Sequence, residues 1–516
     1  MTPAVDVFSS NVSLNVLTNV ARTIIMAIVG LVMVPYYLGE FGLSVYAIIP
    51  LATTITNYFL IVSDSLSNAF SRYMVMAVQR GDMDGANRVF TTSVIGMARV
   101  MLILLPIVVV IAFASPYVFS IGPSEALDVQ LMFLLIAASS LLISFTASLG
   151  SVYMAYNKMY ITYISRAVQT LSQVAVVFLL FFIDNPSLTL IGWSYLVSAA
   201  VMLVIMLAYL RRVCPTLRLS RGLYDARLIR EMGGLGAWST ISEVGNLLFI
   251  QASLVVVNIM LGSDARGSFS IAANVIMMIH TVSTSVAVSA VPLAYRQFVQ
   301  GDTDGMTNTL RIFSKFIGIM MSFPLVFLLA FCPEVLELWL GAPYPDICDM
   351  LYIMIPAEVA ICAVSALTQV PIVFKAMRPA AMATCIMGLV NVLGAVAVLT
   401  FTDIGVLGVC ATWVVSMLVL KIGFYPYYTN HLVGGGVWRY VSPIVGCYGV
   451  FVMLLVAFWA LTRSFDMPAS WIPVLLAFFA GFAIFFVVAM RFFFNRGERG
   501  TIVTYLPRFV QRVIRT

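Results

Sequence analysis

The sequence predicts an all-α polytopic membrane protein with about fourteen transmembrane helices. Three observations support this fold class. The 516-residue chain is 62% hydrophobic and only 10% charged, with a mean hydropathy of +1.03. Its apolar runs repeatedly reach about 20 residues, the length that crosses the hydrocarbon core of a bilayer. Its Lys and Arg residues collect in alternate loops, as they do in cytoplasmic loops of membrane proteins.

Apolar runs of spanning length recur along the whole chain, and polar or Gly- and Pro-containing segments separate them. Numbered in chain order, the predicted spans lie near 12–37, 43–77, 87–115, 126–155, 159–183, 189–210, 233–261, 267–295, 306–332, 347–373, 379–401, 405–428, 439–462 and 470–494.

The distribution of basic residues predicts the orientation. With the N-terminus inside, the inner loops, the adjoining span ends and the tail hold most Arg and Lys residues, including Lys421, whereas the outer loops hold only Arg266 and Arg463. Basic residues near span ends favour the cytoplasmic side. We therefore expect a multi-pass protein of the cell (inner or plasma) membrane with both termini cytoplasmic. The net charge of +6 then reflects topology, and no nucleic-acid partner is expected.

A weak internal repeat predicts the domain organisation. QRGDMDGANRVF (79–90) and VQGDTDGMTNTLRIF (299–313) place Gly81 and Gly301 220 residues apart, and four further segment pairs keep nearly that offset in the same order. Two parallel lobes of this kind are typical of alternating-access transporters, whose substrate site lies at the lobe interface. The predicted parts are an N-terminal lobe of six helices at 1–214, an amphipathic cytoplasmic linker at 215–231, a C-terminal lobe of six helices at 232–430, and spans 13 and 14 with a basic interfacial tail at 431–516.

Polar and charged residues within the spans recur at helical spacing, so that each set lies on one helix face. Ionisable residues in a membrane are costly and usually face a bundle interior or a water-filled cavity. The main sets are Asn15, Asn19 and Arg22 in span 1; Asp64, Asn68 and Arg72 in span 2; Thr92, Gly96 and Arg99 in span 3; Thr162, Arg166, Gln169 and Gln173 in span 5; Glu243 and Asn246 in span 7; His280 in span 8; and Glu358 in span 10.

The embedded charges are unevenly divided, which favours an anionic ligand. The first lobe holds three embedded arginines against one acid, whereas ion pairs within each lobe would predict balance. The planar guanidinium group of Arg binds two phosphate oxygens at once. The predicted substrate-binding residues are therefore the cations Arg22, Arg99 and Arg166 and the polar residues Asn19, Asn68, Gln169 and Gln173.

Structural explanations for the same residues stay open. A lone Asn, Gln or Ser between membrane helices often serves packing, and an embedded charge can belong to a structural ion pair such as Asp64–Arg22. The embedded acids also have two functional alternatives, which are coupling of transport to H⁺ or Na⁺ and a gate that an anionic substrate opens. The candidates for coupling or gating are Glu243, Glu358, Asp64 and His280.

Enzymatic and metal chemistry are not expected from this sequence. The seven cysteines show no CxxC pair and no Cys/His ligand spacing, so we predict no metal site. Cys332 and Cys348 flank one outer loop, where a disulfide and two buried packing residues are both compatible with the sequence. No GxxxxGK[ST] motif occurs, and no loop is large enough for a catalytic domain. We predict no catalytic residue and no cofactor apart from a coupling ion.

The chain resembles the multidrug/oligosaccharidyl-lipid/polysaccharide (MOP) exporter superfamily, in its polysaccharide transporter branch of O-antigen and exopolysaccharide flippases. The resemblance covers nearly the whole chain and rests on span 1 with Arg22, on YLGEFGLSVYAI from Tyr37, on SNAFSRYMVMAVQRGD from Ser67, and on the duplicated plan. It implies a flippase that moves a polyprenyl-pyrophosphate-linked oligosaccharide from the cytoplasmic to the outer leaflet by alternating access. It also implies a cationic cavity that includes Arg22, spans 13 and 14 that hold the lipid tail, and association with membrane lipids and polysaccharide-assembly proteins.

Two other transporters fit part of the pattern. A lipid II flippase acts on the same kind of lipid carrier, and the sequence barely separates it from a polysaccharide flippase. An ion-coupled antiporter of the multidrug and toxic compound extrusion (MATE) branch usually has twelve spans, and its cationic cargo favours an acidic cavity. The two extra spans and the embedded arginines argue against the antiporter.

Overall fold

The described part of the chain is almost entirely helical and contains no strand. Thirteen of its helices are long and apolar enough to cross a membrane, and they match in order every predicted span except the second. Much of that span, at 43–77, lies outside the described residues, so the count of fourteen stays a prediction. The prediction of an all-α polytopic membrane protein is confirmed. The structure, a computed structural model, describes residues 12–53, 67, 70–71, 73–78, 80–118, 126–215, 217–288, 290, 294, 297–298, 300–374, 376–462 and 470–505.

The chain divides into two units, Met1–Leu247 and Leu248–Thr516. In the first unit, α5 packs between α3 and α4, while α2 packs on α3 and α1 packs on α4. The helices are α1 (Val12–Tyr46), α2 (Met83–Val118), α3 (Ala126–Ala155), α4 (Met159–Ile183), α5 (Leu188–Val213) and the first part of α6 (Ala226–Leu261), with a 3₁₀ turn at Arg221–Leu223. The predicted lobe and linker boundaries are a finer division and stay predictions.

The second unit is organised around one buried helix, α10, which contacts α7, α8, α13 and α15. Its helices are α7 (Ser263–Val288), α8 (Thr303–Ala330), α9 (Cys332–Leu340), α10 (Pro345–Val364), α11 (Val370–Val373), α12 (Met377–Phe401), α13 (Val406–Leu418), α14 (Tyr425–Val433), α15 (Trp438–Thr462), α16 (Trp471–Phe492) and α17 (Arg496–Tyr505). A 3₁₀ turn at Leu367–Gln369 precedes α11, and a π-helical segment, Val419–Phe424, joins α13 to α14.

The two segments that defined the sequence repeat fold into the same turn. Gly81 and Gly301 both have positive φ, at 72° and 70°, a conformation that glycine adopts without steric cost. In each turn the following aspartate caps a helix: the Gly85 N–H donates to Asp82 Oδ1, and the Gly305 N–H donates to Asp302 Oδ1, both at 2.8 Å. The repeat is thus present in local backbone structure as well as in sequence.

A later helix of the first half, α4, also matches its counterpart in the second half, α12. α4 and α12 are each 25 residues long, and their N-terminal boundaries have nearly identical backbone angles (φ −113°, ψ 40° at Lys158; φ −108°, ψ 50° at Ala376). Near the first helix of each half, Gly42 and Gly262 both have positive φ. This match indicates a register with Gly42 opposite Gly262. The sequence repeat, in which YLGEFG from Tyr37 aligns with MLGSDARG from Met260, instead pairs Gly39 with Gly262, three residues away.

Two features near the predicted outer loops are internal to the fold. Arg266 is buried, and its guanidinium donates to Asn258 Oδ1. It therefore belongs to the interior of the second unit, which explains its exception to the basic-residue pattern. The Cys332 and Cys348 thiols are hydrogen-bonded to each other across the α9–α10 connection, and burial raises the pKa of Cys332.

Candidate functional site

Arg22 lies in α1 with a half-buried guanidinium group. Its Nη1 contacts the Met26 thioether, a weak acceptor, at 3.4 Å, and its Cζ lies 6.0 Å from the centre of the Tyr163 ring in α4. Its buried Nε has no hydrogen-bond partner within the described ranges. A guanidinium that meets only a thioether and an aromatic ring there retains donors for an external anion.

Arg166 lies on the same face of α4 as Tyr163, one helical turn further along. Since α1 packs on α4, the charge of Arg166 acts on that of Arg22. Two like charges on neighbouring membrane helices repel each other, and an anion between them relieves that repulsion. The structure thus brings together two of the three predicted cations. Asn19 is half-buried one turn before Arg22 on α1.

The predicted glutamines of α4 contact α5. Gln169 Nε2 donates to Ser198 Oγ at 3.4 Å, and the Gln173 side chain is hydrogen-bonded to the Tyr195 hydroxyl. Such interhelical hydrogen bonds are what the packing explanation predicts. Substrate-binding roles for both glutamines stay predictions.

Asn15 serves packing as well. Its Nδ2 donates to Asn157 Oδ1 at 2.9 Å, and its Oδ1 accepts from the Tyr160 N–H at 2.8 Å. These bonds join the start of α1 to the start of α4. Asp64 and Asn68 fall in the second predicted span and lie outside the described residues, as does any ion pair between Asp64 and Arg22.

Arg99 meets the linker rather than another predicted cation. Its Cζ lies 4.2 Å from the centre of the Tyr224 ring, and its Nη1 donates to the Tyr224 hydroxyl at 2.5 Å. Two residues of the same stripe also touch the linker region: Thr92 accepts from the Asp225 N–H at 3.1 Å, and Gly96 leaves room for Ile229 of α6. Residues of the polar stripe of span 3 therefore contact the chain segment that follows α5. A substrate role for Arg99 stays a prediction.

The second unit brings His280 and Glu358 together. His280 Nε2 of α7 lies 3.1 Å from Glu358 Oε1 of α10, and the glutamate is fully buried. The Cys362 thiol lies 4.0 Å from the other carboxylate oxygen. A buried carboxylate needs a compensating charge or a proton. His280 lies close enough to supply either.

Lys421 is a charged neighbour of Glu358 that sequence reasoning missed. Its charge interacts with the Glu358 carboxylate, and its Nζ lies 5.2 Å from the centre of the Tyr425 ring. The basic-residue pattern groups Lys421 with the cytoplasmic span ends, although residue 421 falls within the predicted span 405–428; in the structure it lies in the π-helical segment Val419–Phe424 of the span Val406–Val433. Its apolar flanks, LVLKIGF, were the available signal. π-helical turns are frequent at functional sites.

Glu243 belongs to the first unit. It is exposed on α6, and Asn246 Nδ2 lies 3.5 Å from its Oε2. Exposure to solvent lowers the cost of its charge, so Glu243 lacks the buried setting that Glu358 has.

Comparison with known proteins identifies the family. Residues 12–298 match the family described as polysaccharide biosynthesis protein. The chain belongs to that family, within the polysaccharide transporter branch of the MOP exporter superfamily. It is a multi-pass membrane transporter by family and fold.

The relatives agree with this assignment. An uncharacterized membrane protein, EpsK of Bacillus subtilis (strain 168), is 24% identical over 434 residues, which cover 84% of this chain and 86% of EpsK. An inward-facing multidrug resistance MATE family transporter of the MOP superfamily superposes with a TM-score of 0.65 at 13% identity, covering 81% of this chain and 98% of that one. A MOP superfamily transporter from Pyrococcus furiosus superposes with a TM-score of 0.61 at 14% identity, covering 84% of this chain and 98% of that one. Its description states that the reverse polarity of its binding pocket suggests a different function.

Proposed function

We propose that this transporter flips a polyprenyl-pyrophosphate-linked oligosaccharide from the cytoplasmic to the outer leaflet of the cell membrane by alternating access. The observation that carries the proposal is the electrostatic interaction of Arg22 on α1 with Arg166 on α4, with the Tyr163 ring 6.0 Å from the Arg22 guanidinium. Family membership supports a role in polysaccharide biosynthesis, where a lipid-linked glycan is the cargo.

The charges of this pair favour a diphosphate. Two like charges on neighbouring helices repel each other, and the low dielectric constant of the surroundings strengthens the repulsion. A pyrophosphate diester brings two negative charges and several acceptor oxygens. When it binds, attraction to the phosphates offsets the repulsion between the two arginines, and the phosphate oxygens accept hydrogen bonds from the guanidinium groups. The Arg22 Nε, which has no hydrogen-bond partner among the described residues, is the donor that such a ligand would engage.

An apolar groove in the second unit supports the lipid part of the cargo. The groove, of ≈ 720 Å³, lies between α7, α8 and α16, and aromatic and methionine side chains cover its wall. Burial of an isoprenoid chain contributes about 0.8 kcal/mol for each CH₂ group removed from water. The resemblance assigns the tail to spans 13 and 14, and this groove uses span 14. Its lining includes Met278, Phe316, Met320, Phe478, Phe482 and Phe486.

Coupling to protons belongs to the same proposal. Glu358, which is fully buried, and the partly exposed His280 form a pair at 3.1 Å. Between the coupling candidates, burial favours Glu358 over the exposed Glu243. An inside-negative potential also drives outward movement of a pyrophosphate, by roughly 2.3 kcal/mol per charge for each 100 mV. Coupling to H⁺ or Na⁺ would therefore add to the driving force that the membrane potential already supplies for outward flipping.

A MATE-type antiporter is the second candidate, because the fold superposes on MATE transporters. Its cationic cargo would have to enter beside two arginines, which disfavours it electrostatically. A lipid II flippase would use the same diphosphate chemistry as the first candidate. Association with polysaccharide-assembly proteins is expected of the first candidate alone.

Flipping by purified protein in liposomes tests the proposal. The assay follows a fluorescent polyprenyl-pyrophosphate oligosaccharide, with lipid II and a cationic dye as competing cargoes. We expect Arg22→Ala to abolish flipping and Arg22→Lys to keep part of it, because lysine keeps the charge but loses the planar fork. Arg212→Ala is the matched control, since Arg212 also lies by a tyrosine ring, Tyr209, but at the end of α5.

The outcomes separate the candidates. Full flipping by Arg22→Ala in correctly inserted protein would remove Arg22 from the site. Dye transport without lipid flipping would favour the antiporter, and flipping of lipid II alone would favour the lipid II flippase. Failure of Arg22→Ala to accumulate as folded protein would instead support a structural ion pair.

A further inference from the structure

Two cations of α8 converge on one carboxylate from the end of the chain. Lys315 Nζ lies 2.9 Å from Glu498 Oε2, and Arg311 Nη2 lies 3.7 Å from Glu498 Oε1. Arg311 and Lys315 are four residues apart and therefore share one face of α8. Two positive charges meet one negative charge, so the cluster carries a net charge of about +1.

Glu498 is built into this cluster. It is only 8% exposed, although it belongs to the short terminal helix α17. The Asn495 N–H donates to its Oε2 at 3.0 Å, which fixes the carboxylate in the first turn of that helix. Lys315 Nζ also lies 5.0 Å from the centre of the Phe494 ring. The ion pairs thus attach α17 to α8.

An open pocket of ≈ 410 Å³ adjoins the two cations. Its opposite wall is α15, which presents small residues there. Gly446 and Gly449 leave this wall open, since a Cβ at either position would meet no atom within 4 Å. The pocket has room for a headgroup beside Arg311 and Lys315. The Glu498 carboxylate engages only some of the N–H donors of these two side chains. Its lining includes Arg311, Lys315, Ser442, Gly446, Gly449 and Phe493.

The pocket lies in the first part of α8, where we expect a membrane surface. α8 has 28 residues, or about 42 Å of helix, against a hydrocarbon core of about 30 Å. Arg311 is eight residues from the start of α8, about 12 Å along the axis, which reaches the hydrocarbon boundary if the excess length lies at this end. The basic-residue pattern predicts that this end is cytoplasmic. Anionic lipid headgroups are concentrated at such a surface.

We infer that this pocket binds the phosphate of an anionic membrane lipid headgroup through Arg311 and Lys315, in competition with the Glu498 carboxylate. Arg and Lys are the side chains that bind phosphate, and the small residues of α15 leave space for the rest of the headgroup. Occupancy by lipid would release Glu498 and loosen α17. All of its residues belong to the second unit, and the inference does not depend on the proposed cargo.

Native mass spectrometry of the full-length protein in detergent tests this site by titration with phosphatidylglycerol, phosphatidylcholine or inorganic phosphate. We expect Glu498→Gln to bind phosphatidylglycerol several-fold more tightly, because the competing anion is gone. Loss of charge-assisted contacts in Arg311→Gln/Lys315→Gln should weaken binding about tenfold. Arg88→Gln, which removes an exposed arginine of the first unit, is the matched control and should leave binding unchanged.

Hydrogen exchange adds a readout of the release. Phosphatidylglycerol, but not phosphatidylcholine, should increase exchange in α17. If Arg311→Gln/Lys315→Gln does not fold because Glu498 is left unpaired, the triple variant with Glu498→Gln restores neutrality and should show the same weak binding. Unchanged lipid affinity in Glu498→Gln, or equal losses in the Arg88→Gln control, would overturn the site. Competition by inorganic phosphate as effective as that by lipid would overturn the assignment to a lipid.

Discussion

His280 Nε2 approaches Glu358 Oε1 to 3.1 Å, with the carboxylate fully buried and the imidazole 23% exposed. Neither atom has a hydrogen-bond partner within the described residues, so the contact is close but lacks hydrogen-bond alignment. A buried carboxylate beside a neutral imidazole is costly, whereas an imidazolium or a carboxyl proton removes most of that cost. The pair can therefore exchange a proton with solvent through the partly exposed histidine.

Glu358→Gln tests whether this pair couples protons to transport. The amide keeps the shape of the side chain but cannot take up a proton. We expect the variant to flip cargo at clamped membrane potential and to lose the response to an imposed pH gradient. Flipping in liposomes with and without that gradient measures the difference. His280→Gln should show the same loss, since it removes the exposed proton carrier.

Glu243→Gln is the matched control, because it makes the same chemical change at an exposed acid. It should keep the pH response of the wild type. Loss of the response in Glu243→Gln but not in Glu358→Gln would move the coupling site to Glu243. A wild-type protein that ignores both pH and Na⁺ gradients at clamped potential would show that neither acid couples transport.

Arg22 and Arg166 should act as a unit. If both hold one diphosphate, the losses in flipping caused by Arg22→Ala and Arg166→Ala should not add, and the double variant should resemble the worse single variant. Initial flipping rates of the three variants, normalised to inserted protein, measure the coupling. Arg22→Ala/Arg212→Ala is the control pair and should show independent effects. Additive losses from Arg22→Ala and Arg166→Ala would mean that the two arginines serve different steps.

Helical spacing predicted which side chains share a face, but not what covers that face. The stripe of Asn19 and Arg22 and the stripe of Arg166 do meet, since α1 packs on α4. The stripe of Thr92 and Arg99 has equally good spacing, yet the linker covers part of it. Periodicity fixes direction around one helix only, whereas the path of a linker depends on tertiary hydrogen bonds.

In the second unit, too, sequence spacing identifies the embedded charged residues but does not predict which of them interact. Glu358 and His280 were both recognised as embedded, but their pairing depends on the packing of α7 against α10, which sequence spacing does not encode. Lys421 falls within the predicted span 12 at 405–428, but the basic-residue pattern groups it with the cytoplasmic span ends and so gives it no partner. Its interaction with Glu358 depends on tertiary packing, and the π-helical turn around it is not predicted by single-sequence patterns.

Tyr224→Ala should loosen the linker. It removes the aromatic ring on which Arg99 stacks, and a cation–π contact at an exposed arginine contributes about 0.5–1 kcal/mol. Trypsin cleavage after the exposed Arg218 should become about two- to fivefold faster, as expected when the open population rises by that free energy. Tyr224→Phe keeps the ring and should change cleavage less. Tyr427→Ala removes an exposed tyrosine of the second unit and should not change it; equal acceleration there would refute a specific Arg99–Tyr224 clamp.

The repeated turns should contribute equally to stability. Asp82→Ala and Asp302→Ala each remove a helix cap that accepts at 2.8 Å, and each should lower the free energy of unfolding by about 1 kcal/mol. Chemical unfolding in detergent measures the change. Asp403→Ala is the control, because Asp403 is exposed in the loop before α13, where Gly405 is the capping residue. A cost confined to one of the two turns would show that only that half depends on its cap.

Cysteine labelling in intact cells tests the orientation. Asp82 is exposed between Arg80 and Arg88, so the basic-residue pattern places it in the cytoplasm, while the exposed Asn185, in the α4–α5 loop, should face outward. An impermeant maleimide should therefore modify Asn185→Cys in intact cells and Asp82→Cys only after permeabilisation. Wild-type protein is the background control, since six of its seven cysteines are buried. Modification of Asp82→Cys in intact cells would reverse the orientation and would place the pocket at Arg311 on the outer surface.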